Sequence, residues 1–347
     1  MANLIVRFMD MGMGDCIVAK LPGGEVLMVD CGSRRDVPRH LQAWNHMSDL
    51  VGTDIHALVL THPDEDHYNR LGPVVPGDPR VQGSVTIHAI YHSMSLDKYT
   101  GYEDLVTQQW WGLDASKVFP VTHNSTGCRL GTTTLAKKAA NATVALRERD
   151  SRGFVKILES TTNPPCNVWI LASNVASTNR NPGEMKNAAS VVTLIEYGAA
   201  KVLLTGDARI ETENFLTSYA NATLTNLTLA QMPHHGSARE TFSRNFIQQL
   251  NPNIVLASVV GQNSDNCPNR PLLQHYEQFA DALPQQASNT FSCWDVTKVP
   301  TGKRDSNGNM IDDDIPTFVT MTTTQKLWTT ELGLVEIELD SNGTEVS

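Results

Sequence analysis

The chain runs to 347 residues, 40% of them hydrophobic, with a formal net charge of −10 and a pI near 5.5. That is enough apolar surface for a large buried core, and the acidic balance excludes a broad basic face that would grip duplex nucleic acid regardless of sequence. No apolar run approaches the ~18 residues of a membrane span, and the opening "MANLIVRFMDMGMGD" lacks the basic start and long apolar middle of a signal peptide; a cytoplasmic location, away from membranes, is expected.

In chain order, "LIVRFMD", "CIVAKL" and "EVLMVDCG" read as strands around the Gly-rich turn "MGMGD" and the turn "PGG". "DVPRHLQAWNHMSDLV" has helical apolar spacing, and Gly52 follows its end. "HALVLTH" and "VTIHAIYHS" read as short buried strands. From Met94 to about Pro165 the periodicity weakens, and this stretch is expected to be an insertion on the core. The pattern then resumes. "CNVWILAS" is a strand, "ASVVTLIEY" and "KVLLTGD" form a hairpin, and "IETENFLTSY" is a helix. Strand "LTLAQMPHHG", helix "ETFSRNFIQQL", strand "NIVLASV" and helix "PLLQHYEQFADAL" follow. Residues from about 290 form a C-terminal β extension that ends in "QKLWTTELGLVEIEL", and 1–347 is taken as a single domain. This strand-helix order permits two sheets with helices outside. Six cysteines without a CxxC pair read as reduced buried thiols.

Four apolar runs end in metal-binding side chains: Asp30 in "LMVDCG", the cluster "THPDEDH" (residues 61–67), Asp207 in "LLTGD", and His234 with His235 in "MPHHGS". Taken singly, an Asp after a strand is a turn or cap residue. Gathered at strand ends, unneutralised carboxylates repel unless a cation sits among them. The spacing of His62, Asp64, Asp66 and His67 can feed two neighbouring ions, and Asp207 suits a bridge between them. Two metals sharing a hydroxide are a common device for hydrolysing phosphate or acyl bonds.

The ordered string "FMDMGMGDC…LMVDCG…THPDEDH…NAASVV…LLTGD…HHGS" resembles the metallo-β-lactamase-fold hydrolases, most closely the ComEC-type branch, over roughly residues 4–93 and 167–283. The resemblance implies an αββα sandwich, two mixed sheets with helices on the outer faces. It also implies a site in which His62 and Asp64 bind one ion, Asp66, His67 and His235 the other, and Asp207 bridges them. Asp30 would support the cluster from beneath through hydrogen bonds, and Asp66 and His234 are the expected catalytic residues, His234 as proton donor to the leaving group. Asn187 falls where other branches carry a third histidine, and Asp64 replaces the middle histidine of the common HxHxDH pattern. A carboxylate in that place makes the first position harder, so manganese competes better with zinc there. Two divalent ions, zinc or manganese, are expected.

Other candidates have plainer readings. Ser190 and Ser237 would orient phosphate oxygens or cap backbone; His40, His46, His88, His92 and His275 read as structural or surface residues, and Trp110 and Trp111 as pins for the insertion ahead of base-stacking residues. The leading functional expectation is a nuclease or phosphodiesterase acting on DNA or RNA, with the acidic charge favouring single strands or small substrates. Its alternatives are a lactonase or thioesterase, a cyclic-nucleotide phosphodiesterase, and a non-catalytic metal-binding module.

Overall fold

The computed structural model describes residues 2–34, 40–71, 85–95, 98–99, 117–124, 127–130, 150–176, 182–237, 242–260, 266–279, 285–304 and 310–346. In its first half run β1 (Leu4–Phe8), β2 (Ile17–Lys20), β3 (Val26–Val29), α1 (His40–Val51), β4 (Asp54–Ile55), β5 (Ala57–Leu60) and α2 (Glu65–Tyr68). They are followed by β6 (Thr86–Ile87), β7 (Ile90–His92), β8 (Val118–Asn124), β9 (Gly127–Leu130), β10 (Val155–Ser160) and β11 (Cys166–Ala172). The second half holds α3 (Pro182–Ala188), β12 (Val192–Tyr197), β13 (Ala200–Leu204), α4 (Ile210–Tyr219), β14 (Leu229–Gln231), α5 (Arg244–Leu250), β15 (Ile254–Ala257) and α6 (Arg270–Phe279). A long hairpin, β16 (Gln285–Arg304) and β17 (Met310–Gln325), precedes β18 (Leu327–Thr329) and β19 (Val335–Leu339).

Two mixed sheets face each other. The first has the order β19-β1-β2-β3-β5-β7-β8-β9 and the second β10-β11-β12-β13-β14-β15-β18. Strand β5 shows how sequence sets the layers. All four of its residues are buried: Ala57 and Val59 join the core between the sheets, while Leu58 and Leu60 join the core under α1. A strand covered on both faces must be apolar throughout, as parallel strands are. The inner core joins Phe8, Leu27 and Val59 of the first sheet to Val168, Ile170 and Val202 of the second. Outside the first sheet lie Ala43, Met47 and Leu50 of α1; outside the second lie Leu216 of α4, Phe246 and Ile247 of α5, and Leu273 of α6. Each of the leucine, isoleucine, phenylalanine and methionine side chains among these contributes about 1.5–3 kcal/mol when fully buried, relative to exposure.

The hairpin expected over residues 189–207 forms as β12 and β13, in antiparallel register from Thr193 opposite Leu204 to Tyr197 opposite Ala200. "VTIHAIYHS" is not one strand. It divides into β6, which pairs with β4 in a separate two-stranded sheet, and β7, which enters the first sheet beside β5. His88 lies at the division, its Nε2 2.7 Å from Asp54 Oδ1, so a polar contact at the rim interrupts the apolar run. The stretch read as an insertion supplies β8 and β9 to the edge of the first sheet and β10 to the edge of the second; Trp110 and Trp111 lie outside the described residues. In the C-terminal stretch, β18 pairs in parallel with β15, while β19 pairs antiparallel with β1. Cys16, Cys31, Cys166, Cys267 and Cys293 are buried and in no disulfide, and among the described residues no helix is long and apolar enough to cross a membrane.

Candidate metal centre

The parallel run β3-β5-β7 and the parallel run β13-β14-β15 end on one side of the sandwich. The chain leaves β3 into Asp30, β5 into Thr61 and His62, β13 into Asp207, and β14 into the turn Pro233–Gly236. Carboxyl ends of parallel strands are where α/β proteins bind ligands. The backbone at these points is specialised: Asp30 (φ 57), His234 (φ 51), His235 (φ 55) and Gly236 (φ 79) all take left-handed conformations. Three such residues in succession are costly outside glycine and persist where the surroundings fix them. Gly32 allows a close approach, since a Cβ there would lie 2.4 Å from the Asp66 carbonyl oxygen and 2.4 Å from the His67 nitrogen.

The side chains converge. His67 Nε2 lies 3.3 Å from Asp207 Oδ1, and His235 Nε2 lies 3.6 Å from the same oxygen and 3.5 Å from Asp66 Oδ2. His62 Nε2 is 3.6 Å from Asp207 Oδ2 and 3.6 Å from Asp64 Oδ2. Two ligand atoms about 2.1 Å from one ion at a tetrahedral angle stand about 3.4 Å apart, so the spacing suits metal coordination. Asp207 faces both groups, which are His62 with Asp64 and His67 with Asp66 and His235.

Each ring is oriented by its other nitrogen. His67 Nδ1–H donates to Asp30 Oδ2 (2.7 Å) and His235 Nδ1–H to the Ser258 carbonyl (3.0 Å). Thr61 donates its hydroxyl to Asp30 Oδ2 (2.6 Å), so its oxygen accepts from His62 Nδ1 (3.1 Å). In the neutral form of all three rings, the tautomer set by this network leaves the Nε2 lone pair available. Those three Nε2 atoms and Asp207 Oδ1 are buried without a hydrogen-bond partner among the described residues. Buried polar atoms are nearly always partnered, and here a divalent cation is the partner that the donor set fits.

The electrostatics agree. Burial opposes charge on His235, but Asp207, Asp66 and Asp15 outweigh it and push the imidazole up to about 9. His67 is likewise raised against burial by Asp207 and Asp30. Burial works against ionisation of Asp207 and Asp66 too, yet the surrounding histidines hold Asp207 well below the carboxylate range and Asp66 at about 2. Without a cation, protons on the imidazoles balance these acids. His234 differs: burial lowers its pKa more than Asp207, 3.6 Å from its Nε2, raises it. It is therefore neutral at neutral pH.

Asp30, His62, Asp64, Asp66, His67, Asp207, His234 and His235 are thus brought together. Asn187, with its amide nitrogen assigned to the acceptors nearby, donates to Asp64 Oδ2 (3.3 Å) and the Gly183 carbonyl (3.1 Å), and its oxygen faces His234 Nε2. The Ser190 hydroxyl accepts from the Asp207 N–H (3.2 Å) and lies 3.3 Å from His62 Nδ1, so it braces backbone and ring. Ser237 is buried, and its N–H donates to the His234 carbonyl (2.8 Å), closing the turn. His275 pairs with Arg244 at 3.0 Å, and His92 is buried with its Nδ1 on the Ser93 carbonyl (3.1 Å).

Sequence reasoning missed four contributors. Asp15 is buried beneath the cluster, 3.7 Å from His67 Nδ1 and 4.0 Å from His235 Nδ1, and burial raises its pKa. Gln231 donates to Asp15 Oδ2 (2.8 Å) and accepts from the Thr205 and Gly206 amides, tying the two sheets. Lys186 Nζ donates to Asp64 Oδ1 (2.8 Å), and Arg34 Nε lies 2.9 Å from Asp66 Oδ2. Asp15 carried a usable signal, an acid after a strand and a Gly-rich turn, as at Asp207.

Residues 9–123 match the family profile described as the metallo-beta-lactamase superfamily. The chain has the metallo-β-lactamase fold. The match covers about a third of the chain. The matched segment carries Asp15, Asp30 and the 61–67 cluster, while Asp207, His234 and His235 lie beyond it. No curated protein matches the sequence. Solved structures similar to this metallo-β-lactamase-fold chain include human tRNase Z, short form, at 11% identity and TM-score 0.40, covering 73% of this chain and 91% of that one. Unliganded yeast PDE1 aligns at 11% identity and TM-score 0.41, over 80% of this chain and 94% of its own. CmlA, a diiron β-hydroxylase from Streptomyces venezuelae, aligns at 12% and 0.41, over 80% and 51%.

Proposed function

We propose that this protein is a metal-dependent phosphodiesterase that cleaves DNA or RNA, using two divalent ions, zinc or manganese. The observation that carries this reading is the convergence of His62, His67 and His235 Nε2 with Asp207 Oδ1, buried and unpartnered among the described residues at ligand-like spacing. His62 and Asp64 would hold one ion, Asp66, His67 and His235 the other, with Asp207 shared. Bound there, the ions supply Lewis acidity toward the phosphoryl group and acidify water.

The chain's own residues do the rest. Asp30, Thr61 and Ser258 fix the imidazoles in the tautomer that leaves Nε2 available. His234, neutral and partly exposed, would take up the proton released by the attacking water and pass it to the leaving-group oxygen. Asn187 holds Asp64 and His234 in one hydrogen-bonded set. Nucleic acid as substrate rests on the ComEC-type motif string. Asp64 and Asn187, standing where histidine-rich acyl hydrolases carry imidazoles, support the phosphodiester over the acyl reading.

The test is cleavage of labelled single- and double-stranded DNA and RNA by chelated protein, resupplied with zinc or manganese, beside an Asp66→Ala, His67→Ala double variant. Metal-dependent cleavage by the wild type alone is expected. Bound metal without cleavage of any of these would overturn the nuclease reading and direct the assay to cyclic nucleotides and then lactones.

A further inference from the structure

The two ion positions are not equally furnished. Groups of three donor atoms that all lie within 4.8 Å of one another include His62 with His67 and Asp207, and Asp66 with His67 and His235; among the described residues no such group contains Asp64. Asp64 Oδ2 is 3.6 Å from His62 Nε2, which is in turn 3.6 Å from Asp207 Oδ2. Two ligands of one ion, at bonds of about 2.1 Å, stand at most about 4.2 Å apart. Asp64 therefore has to move before it can share an ion with both His62 and Asp207.

Helix α3 holds it in place. Lys186, in the last turn, donates to Asp64 Oδ1 (2.8 Å) and to the Pro63 carbonyl (3.3 Å), and the adjacent Asn187 donates to Asp64 Oδ2 (3.3 Å). Both carboxylate oxygens are thus engaged by successive residues of one helix. The helix end is itself fixed, because the Ala189 and Ser190 N–H groups donate to the Lys186 and Asn187 carbonyls and the Val191 N–H donates to the Thr61 carbonyl beyond β5 (2.9 Å). Asp66 also meets a cation, with Arg34 Nε at 2.9 Å, yet it already lies in a three-donor group with His67 and His235. We infer that Lys186 is a latch on the His62–Asp64 position: with Asn187 it holds Asp64 out of coordinating range, so the Asp66–His67–His235 position fills first and the other fills only as a divalent cation competes Asp64 away from α3. The inference rests on the two-ion reading of the centre and deepens it, making Lys186 a positioning residue that sets how much metal the two-ion form requires. With the lysine side chain 33% exposed, the pair is a weak competitor that tunes occupancy without forbidding it.

The experiment is calorimetric titration of chelated full-length protein with Mn²⁺. The wild type is expected to bind two equivalents in two resolved steps of unequal affinity. Lys186→Met removes the competing charge and should tighten the weaker step about two- to fivefold, the range a partly exposed pair supports, while the stronger step stays within about twofold. Lys186→Gln should behave as Lys186→Met, and Lys186→Arg should keep the wild-type pattern. Asp64→Asn should lose the weaker step and retain the stronger. A weaker step that is unchanged or further weakened in both Lys186→Met and Lys186→Gln overturns the latch, and so does equal tightening of both steps, the mark of a diffuse field. Asp64→Asn protein that keeps both steps, or loses the stronger one, overturns it as well, as do two wild-type equivalents bound at one affinity. Wild-type protein that takes up one equivalent or none removes the two-ion reading and the latch with it. The expected variant behaviour without cleavage of nucleic acid upholds the latch and removes only the nuclease reading.

Discussion

Asp30→Asn changes one oxygen to a nitrogen and keeps the shape of the side chain, yet it reverses a chain of protons. Asp30 accepts from the Thr61 N–H (2.8 Å), from the Thr61 hydroxyl (2.6 Å) and from His67 Nδ1–H (2.7 Å). An asparagine keeps one acceptor, which the Thr61 amide claims, and turns an NH₂ toward the other two partners. His67 Nδ1 must then accept, which puts its proton on Nε2, the atom aimed at Asp207. The Thr61 hydroxyl must accept as well and points its own proton at His62 Nδ1, 3.1 Å away, with the same result for His62. Loss of an outer partner of a metal-binding histidine costs 10–100-fold in metal affinity, about 1.4–2.7 kcal/mol. With two rings affected, the expected loss is toward the upper end of that range or beyond it. The assay is competition with a chromophoric chelator, with circular dichroism to establish folding and Thr61→Ser as a hydroxyl-retaining control. A folded Asp30→Asn protein with metal affinity within twofold of wild type would refute the tautomer argument.

Gly32→Ala should lower the melting temperature and weaken metal binding, because its Cβ would press on the Asp66–His67 peptide, at an overpacking cost of about 1–3 kcal/mol; a wild-type melting curve would contradict this. His234→Gln should retain bound metal but slow turnover about 10²–10⁴-fold and remove a pH-dependent limb of kcat, whereas His235→Ala should lose metal outright. Elemental analysis of the two variants separates these roles, and equal metal loss from both would make His234 a ligand instead. For the metal-free protein, His235 is raised from 6.5 to about 9, so its contribution to stability is complete below pH 6.5 and disappears as pH climbs through 9. Melting temperature should fall across that window while metal affinity rises, as His235 and His67 surrender protons; a melting temperature that climbs from pH 6.5 to 9 would show the sign to be wrong. Asp66, depressed from 3.8 to about 2, contributes stability above pH 3.8 that is lost as pH falls through 2.

The strand ends were legible because their signal is local. An apolar run leads directly into Asp30, into His62 and into Asp207, so seven or eight residues suffice to mark each. What stayed hidden depends on distant partners. Gln231 looks like an ordinary polar residue in a strand until it meets Asp15, 216 positions away, and Lys186 looks like a surface lysine until it meets Asp64 at a separation of 122. The division of "VTIHAIYHS" was invisible for a related reason: periodicity reports burial, and Ile87 and Ile90 are both buried although they belong to different sheets. Ser190 had two open readings in the sequence, and its hydroxyl is engaged with backbone and ring.

The final strands have a consequence for the order in which the molecule can be assembled. Among the described residues, strand β1 receives its outer neighbour from Val335–Leu339, and β15 from Leu327–Thr329. A nascent chain that has passed β15, and with it the last candidate ligand, His235, still lacks both of these neighbours and leaves the outer ladders of β1 and β15 unpaired. Open edges of that kind invite pairing with other chains. During synthesis, the chemistry is thus encoded before the strands that cover these two edges.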